Sequence, residues 1–320
     1  MMINNSIDTK QAAEMLCQAD NILIFCHKNP DGDTLGSGAA LMHALKKLGK
    51  TCAVMCHDEI APKYDFLGIE LFRKQFVPQF TVAVDVADSK LLGENTLPYS
   101  EIVDLCIDHH GSNSGYAKVV CCDDGMPAAA QLMVKVVEDM GVTIDSTIAD
   151  CLYTGLMTDT GCFKYSSTTA ETHRVAAKLM EAGAQHTMIS TKFFMSRSRK
   201  TIELEKYALN TMEFLYDGRC AVIVLDDEIL RQIGAQPSDI DGISAIPRSI
   251  EGVDIGITIR QIAENKFKIS VRTSENANAC EIAQGLGGGG HMRAAGCEVM
   301  ASLECAKKAI LREVENALCL

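Results

Sequence analysis

The first half of the chain alternates short apolar runs with longer segments in which apolar residues recur every three or four positions. Runs of this length are typical of buried parallel strands, and the longer segments have the period of helices. The predicted strands are 22–26, 51–55, 80–84 and 101–107. The predicted helices are 36–48, 127–140, 147–157 and 170–182. This alternation predicts a layered α/β domain with a parallel sheet.

A polar, locally basic stretch at 190–200 interrupts the alternation, and a helical segment to Met212 follows it. We expect residues 189–213 to connect a first domain at 1–188 to a second domain at 214–320. In the second domain the pattern predicts strands at 220–225, 254–260 and 266–273 and a closing helix at 303–318. The second domain is therefore expected to be a smaller α/β domain.

Composition and charge narrow the function classes. A chain of 320 residues with 47% hydrophobic content can build two cores. Its 30 Lys and Arg against 42 Asp and Glu give a net charge of −12, which disfavours a surface for long nucleic acid. No uncharged apolar run reaches the roughly 18 residues of a membrane span. Fourteen cysteines without a C-x-x-C pair, and a first segment without a signal-peptide core, predict a reducing cytoplasm.

Aspartates and histidines follow the predicted strands at the point where each strand ends. They are His27, Asp31 and Asp33; Asp85; Asp108, His109 and His110; and, at the end of a predicted helix, Asp159. Ligands gather at the carboxyl ends of parallel strands, and these side chains suit hard or borderline divalent cations. The first motif alone is equally typical of a turn that caps a helix, and Asp85 alone is typical of a cap. Together, the four segments predict a two-metal site.

The order and the placement of these motifs resemble motifs one to four of the DHH phosphoesterase superfamily. The glycine run 287–290, continued by His291 and Arg293, resembles the signature of the DHHA1 domain that accompanies this core. The resemblance covers nearly the whole chain. Its compact two-domain layout is similar to the branch that contains nanoRNases and phosphoadenosine-phosphate phosphatases, and it implies an active site in the cleft between the domains.

The resemblance also implies roles for the motif residues. One metal ion would be held by His27, Asp31 and Asp85. The other would be held by Asp33, Asp85, His109 and Asp159. Asp85 would thus bridge the ions as a catalytic residue, His110 would act beside the substrate phosphate, and Asp108 would orient its neighbours. Mixed His and carboxylate ligands favour Mn²⁺, with Co²⁺ and Mg²⁺ as alternatives.

Four ligand aspartates balance two divalent cations, so other groups must compensate the charge of an incoming phosphate. The resemblance assigns substrate recognition to the second domain, where cationic side chains and backbone amides in an anion nest would serve. The candidate substrate-binding residues are Arg272, Gly288, Gly289, Gly290, His291 and Arg293.

These inferences predict a cytoplasmic, Mn²⁺-dependent phosphoesterase that releases mononucleotides from short oligoribonucleotides, with 3′-phosphoadenosine 5′-phosphate as a second candidate substrate. One alternative is a phosphodiesterase of linear or cyclic dinucleotides. An alternative of another class is a metal-bound nucleotide sensor without turnover. We expect no long nucleic acid and no membrane as partners, and the sequence leaves the oligomeric state open, a homodimer included.

Overall fold

The computed structural model describes residues 5–100, 103–240 and 242–319. The chain divides into two compact units, Met1–Ser196 and Arg197–Leu320, each with its own sheet and its own hydrophobic core. The division falls inside the segment 189–213 that the sequence predicts as the connection. No helix in these described ranges has the length and apolar character that a membrane span requires.

The first unit contains a five-stranded, wholly parallel sheet, which confirms the predicted α/β architecture. Its strands are β1 (Ile22–Phe25), β2 (Cys52–Met55), β3 (Phe80–Val84), β4 (Leu105–Asp108) and β5 (Val119–Cys122). They lie in the order β2-β1-β3-β4-β5. The fourth strand begins later than predicted and includes Asp108, while positions 101 and 102 lie outside the described residues.

The first unit also contains helices, most of which cover one face of this sheet. They are α1 (Thr9–Gln18), α2 (Gly32–Lys47), α3 (Leu97–Ser100), α4 (Ala129–Asp139), α5 (Ser146–Asp159), α6 (Ala170–Glu181) and α7 (His186–Ser190). The main core lies between the sheet and α1, α2, α4, α5 and α6, where alternate strand residues such as Ile24 and Val82 are fully buried. Loop residues such as Leu92 and Val103 pack on the opposite face against Phe25.

Helix α2 begins at Gly32, four residues before the predicted start. The carboxylate of Asp31 caps it by accepting hydrogen bonds from the backbone amides of Asp33 and Thr34, at 2.9 and 3.1 Å. A Cβ at Gly155 of α5 would lie only 2.7 Å from Asp33 Oδ1, so glycine permits the close approach of α2 and α5. This packing brings the start of α2 to the end of α5.

The second unit contains a mixed six-stranded sheet in the order β10-β11-β9-β8-β7-β6. Its strands are β6 (Glu213–Leu215), β7 (Cys220–Leu225), β8 (Ile255–Ala263), β9 (Lys266–Thr273), β10 (Gly289–His291) and β11 (Ala294–Met300). Its helices are α8 (Arg199–Thr211), α9 (Asp227–Ile233), α10 (Pro237–Ile240), α11 (Ala279–Gln284) and α12 (Leu303–Leu318). Only β7 and β8 pair in parallel. The smaller α/β domain is confirmed.

Helix α8 packs as part of the second unit. Its residues Leu204 and Ala208, one turn apart, are fully buried in one cluster with Ile223 and Leu225 of β7. On the other face of the sheet, α11 and α12 cover the second core. The helical segment predicted after the basic stretch thus packs against the second sheet through its apolar stripe.

Candidate metal centre

Asp85 lies at the centre of a cluster at the carboxyl ends of β1, β3 and β4. It directly follows β3, and its φ of 60° is left-handed, a conformation that Asp and Asn adopt more readily than most residues. Its Oδ1 lies 3.4 Å from His109 Nε2 and 3.5 Å from His110 Nδ1. Its Oδ2 lies 3.7 Å from His27 Nε2. One carboxylate therefore contacts all three motif histidines.

Two groups of candidate ligand atoms lie around this carboxylate. In the first, His27 Nε2 lies 3.6 Å from Asp31 Oδ1. In the second, His109 Nε2 lies 3.8 Å from Asp33 Oδ2 and 3.4 Å from Asp159 Oδ2. Asp159 is the last residue of α5, where the helix dipole disfavours a carboxylate unless a positive group compensates it. The structure thus brings together all six predicted metal ligands.

Hydrogen bonds orient the two ligand histidines. Nδ1 of His27 lies 2.9 Å from the carbonyl oxygen of Lys28, and Nδ1 of His109 lies 3.1 Å from that of Met126. Since a carbonyl oxygen only accepts, each Nδ1 must be the donor. In the neutral ring, Nε2 then carries a lone pair. This lone pair faces carboxylates that also only accept, so a cation is needed between them. Asp85 Oδ1 is buried and has no hydrogen-bond partner in the described part of the chain. This donor set fits divalent cations.

The cluster perturbs the ionisation of its own members. Burial opposes protonation of His27, but contacts with Asp31 and Asp85 outweigh it and raise its pKa to about 11. Burial likewise opposes protonation of His109, and contacts with Asp85 and Asp33 raise its pKa to about 10. Burial would raise the pKa of Asp85, yet contacts with His109 and His27 hold it below its usual range. Concentrated negative charge at this edge therefore attracts positive charge, whether protons or metal ions.

Asp33 is held in place by another helix. Its Oδ1 accepts hydrogen bonds from Ala130 N at 2.9 Å and Ser37 Oγ at 3.1 Å, and its Oδ2 accepts one from Ala129 N at 2.6 Å. Ala128 at the N-cap of α4 offers no side-chain hydrogen bond, so Asp33 caps this helix from outside. Burial, followed by the charges of Asp85 and Asp159, raises the pKa of Asp33.

Asp108 orients His110 beside the metal ligands. Asp108 is fully buried, and its Oδ1 lies 2.7 Å from His110 Nδ1 and accepts from the amide of His109. Its Oδ2 accepts from Asn113 Nδ2 at 2.6 Å. Burial opposes protonation of His110, and the contact with Asp108 raises its pKa. Asn113 was not predicted, although its place five residues after Asp108 in a turn-rich segment is a signal.

Comparisons with known proteins agree with this geometry. The family model for the DHH family, N-terminal domain, matches residues 21–156, and the model for the DHHA1 domain matches residues 217–318. The bifunctional oligoribonuclease and PAP phosphatase NrnA of Thermus thermophilus is 31% identical, with 93% of this chain and 90% of that protein aligned. This chain belongs to the DHH family. The resemblance of its sequence motifs to DHH/DHHA1 phosphoesterases is thereby confirmed.

Other relatives of this DHH/DHHA1 phosphoesterase align over similar lengths. The bifunctional oligoribonuclease and PAP phosphatase NrnA of Mycoplasma genitalium is 26% identical over 89% of this chain and 91% of that protein. The crystal structure of an exopolyphosphatase-related protein from Bacteroides fragilis superposes with a TM-score of 0.88 at 25% identity, covering 96% of each chain. The DHH/DHHA1 chain is thus a hydrolase of the NrnA type.

Within the DHHA1 domain, His291 of β10 and Arg272 of β9 occupy matching positions on either side of β11. His291 pairs with Ala294, which pairs in turn with Arg272, so the two side chains project from the same face of the sheet. Arg293 has another contact: its Nη1 donates to the carbonyl oxygens of Ser274 and Ala277, at 2.6 and 2.8 Å. Arg293 thereby holds the loop before α11, and its contact with substrate stays a prediction.

The glycine run of the DHHA1 domain is not the continuous anion nest that the sequence suggested. The amide of Gly287 donates to Gln284 O at 3.0 Å, and that of Gly288 to Ala283 O at 2.9 Å. These two bonds close the end of α11, so neither amide points to a ligand. Gly289 and Gly290 belong to the edge strand β10. The amides of Gly287 and Gly288 are therefore used within the fold, and substrate contact by Gly288, Gly289 and Gly290 stays a prediction.

Proposed function

We propose that this DHH/DHHA1 phosphoesterase hydrolyses short oligoribonucleotides to mononucleotides and 3′-phosphoadenosine 5′-phosphate to AMP, with two Mn²⁺ ions as cofactors. The observation that carries the proposal is the position of Asp85. Its buried carboxylate lies between two His and Asp groups, and its Oδ1 lacks a hydrogen bond among the described residues. The names of its NrnA relatives support the choice of substrates.

The ligand residues divide into two sets with one shared member. His27, Asp31 and Asp85 would hold one ion, and Asp33, Asp85, His109 and Asp159 would hold the other. Divalent cations at such a site activate water and neutralise charge on a phosphoester. The two imidazoles among the ligands favour Mn²⁺ over Mg²⁺, which prefers an all-oxygen shell.

The remaining motif residues would act on the substrate. His110 would contact the phosphate beside the ions, with its ring fixed through Nδ1 by Asp108. Four aspartates already balance two divalent cations, so Arg272 and His291 of the DHHA1 domain would supply the positive charge that a further phosphate needs. The net charge of −12 restricts the substrate to a short nucleotide. All fourteen cysteines are thiols, which supports a cytoplasmic location.

A panel of substrates tests this function. We expect turnover of a diribonucleotide, a pentaribonucleotide and 3′-phosphoadenosine 5′-phosphate in Mn²⁺, with release of mononucleotides measured by chromatography. Turnover of a cyclic dinucleotide in preference to all three would identify the chain as a cyclic dinucleotide phosphodiesterase. Tight binding of every compound without any product would identify a sensor.

Metal replacement completes the test. Chelation should abolish product release, and Mn²⁺ should restore it better than Mg²⁺ because of the imidazole ligands. Full activity in excess chelator would contradict the two-metal site. Equal rescue by Mg²⁺ would contradict the choice of Mn²⁺ alone.

A further inference from the structure

The segment after Asp159 has an unusual backbone. Gly161, Cys162 and Phe163 are three consecutive residues with left-handed φ values of 57°, 60° and 63°. A helix commonly ends with one left-handed residue, usually glycine, whereas side-chain-bearing residues pay for this conformation with steric strain. Such strain persists only where the surrounding structure fixes it, and it concentrates at functional sites.

Several contacts fix this left-handed turn. The amide of Cys162 donates to Met157 O at 2.8 Å, and that of Phe163 donates to the buried hydroxyl of Thr160 at 3.1 Å. The Phe163 ring stacks on His173 at a centroid distance of 5.2 Å and an interplanar angle of 28°. The inward-facing residues of the turn are therefore well anchored.

The turn places the ring of Tyr165 over Gly161. A Cβ at Gly161 would lie 2.6 and 2.7 Å from Cε1 and Cε2 of this ring, so only glycine allows the contact. The amide of Tyr165 donates to Thr160 O at 3.1 Å, which fixes the start of the side chain. Tyr165 nevertheless remains 60% exposed. The Tyr165 ring thus packs against the backbone of Gly161 and leaves the rest of its surface exposed to solvent.

The glycine beneath this exposed ring is close in the chain to the candidate metal ligand Asp159. Gly161 follows Asp159 by two residues, and since consecutive Cα atoms are about 3.8 Å apart, their Cα atoms are within about 7.6 Å. Gly161, on which the ring packs, is therefore no farther from Asp159 than a base is from the phosphate of the same nucleotide. A large exposed aromatic ring on a rigid seat is the usual device for holding a base, because stacking needs a flat, preorganised surface.

We propose that the Tyr165 ring stacks against the base of the nucleotide whose phosphate is bound at the metal centre. The inference rests on the proposed function, since it requires a nucleotide ligand. Stacking accepts any base, because every base offers a π face. Tyr165 would therefore give affinity for the nucleoside without selecting a sequence, as an enzyme that clears short oligoribonucleotides requires.

Paired ligands test the proposal directly. AMP and ribose 5-phosphate differ only by the base, and their dissociation constants are measured by calorimetry on the full chain in Mn²⁺. We expect the parent to bind AMP at least tenfold more tightly, and Tyr165→Leu to reduce this ratio to threefold or less. Tyr165→Phe should keep the ratio, because it keeps the ring. Phe214→Leu is the matched control. It also replaces an exposed aromatic ring by leucine, but on β6, an edge strand of the sheet in the second unit.

Each other result counts against the proposal. An unchanged ratio in Tyr165→Leu would show that the ring does not touch the base. Equal weakening of both ligands would show that the ring only supports the turn. A parent that binds both ligands equally would overturn this inference while leaving the proposed function intact. A parent that binds neither would overturn the nucleotide site itself.

Kinetics give a second readout. With a diribonucleotide as substrate, Tyr165→Leu should raise KM about tenfold and change kcat less than threefold, because stacking is made in the ground state as well as in the transition state. A loss confined to kcat would instead indicate a role at the reacting atoms.

Discussion

Asp85 is the carboxylate at the middle of the candidate metal centre. It is only 3% exposed, and it faces three imidazoles from two different strand ends. An uncompensated carboxylate at such a position would be strongly unfavourable, so its neighbours must supply positive charge. Any change that removes its charge should therefore affect both metal positions at once.

Asp85→Asn should lower turnover by at least about a thousandfold, because it removes the charged ligand common to both metal groups. Asn is suited to the left-handed φ of this position, so the fold should survive. Turnover and bound metal are measured together. Asp104→Asn, at the amino end of β4 and paired with Lys118, makes the same chemical change away from the centre and should stay active. Retention of more than about a tenth of parent turnover in saturating Mn²⁺ would contradict the two-metal assignment.

Strand-end placement made the candidate metal ligands predictable from sequence, except for Asp159, which ends a helix. A carboxylate or histidine directly after an apolar strand can be located without knowing which other strand lies beside it. The contacts of Ser37 and Asn113 could not be predicted this way, because both depend on how a helix or a turn returns to the sheet. The same holds for Arg293, whose carbonyl partners lie on a loop 16 and 19 residues earlier.

Strands with a continuous apolar run or a clear alternation of apolar and polar residues were predicted most closely. β3, β7 and β9 have the predicted bounds, since their apolar residues are bounded by polar ones. The start of α2 was placed too late, because the cap at Asp31 reads in sequence as a turn. Short elements such as β6 and α10 contain too few residues for any period to appear.

The hairpin of β10 and β11 contains two adjacent glycines with opposite steric environments. A Cβ at Gly288 would overlap the carbonyl oxygen of Gly296 and lie 2.5 Å from the Cβ of Cys297. A Cβ at Gly289 would meet no atom within 4 Å. Gly288 is therefore required by packing inside the second unit, and Gly289 is not.

Gly288→Ala should lower the free energy of unfolding of the second unit by about 1–3 kcal/mol, the usual cost of overpacking. Gly289→Ala should change it by less than about 0.5 kcal/mol, as surface changes do. Urea unfolding of each variant measures the difference. Equal destabilisation by the two substitutions would contradict this reading of the hairpin, and Gly289→Ala serves as the matched control for chain entropy.

The two units have separate hydrophobic cores, so they can respond separately to a ligand. All six candidate metal ligands lie in the first unit. A ligand that binds only the folded state stabilises it by about 2.7 kcal/mol at a hundredfold excess over its dissociation constant. Metal binding should thus act on one unit and leave the other unchanged.

Differential scanning calorimetry in chelator and in Mn²⁺ should show two transitions, of which Mn²⁺ moves one upward by several degrees. The same scan on Asp85→Asn should lose this shift, which assigns the moving transition to the first unit. A single transition that Mn²⁺ moves as a whole would show that the two units unfold together. A complete absence of any shift in the parent would contradict metal binding.

The division of the chain into two units was visible in sequence because the strand pattern stops at a basic stretch. The sequence did not show to which unit the following helix, α8, belongs. Leu204 and Ala208 form a short apolar stripe, and only the folded structure shows that this stripe packs against Ile223 and Leu225. A stripe indicates that a helix has a partner without indicating which one.

The hydrogen bonds between Asp33 and the first turn of α4 bear on the choice of an inactive variant as a control. Asp33→Ala would remove a candidate metal ligand and also the cap of α4. Loss of the cap lowers the free energy of unfolding by about 1 kcal/mol, so this inactive variant would also be less stable. Asp85 Oδ1 holds no hydrogen bond among the residues described, so Asp85→Asn leaves the scaffold intact. Asp85→Asn is therefore the better inactive control, because a change in its stability can be assigned to lost metal binding alone.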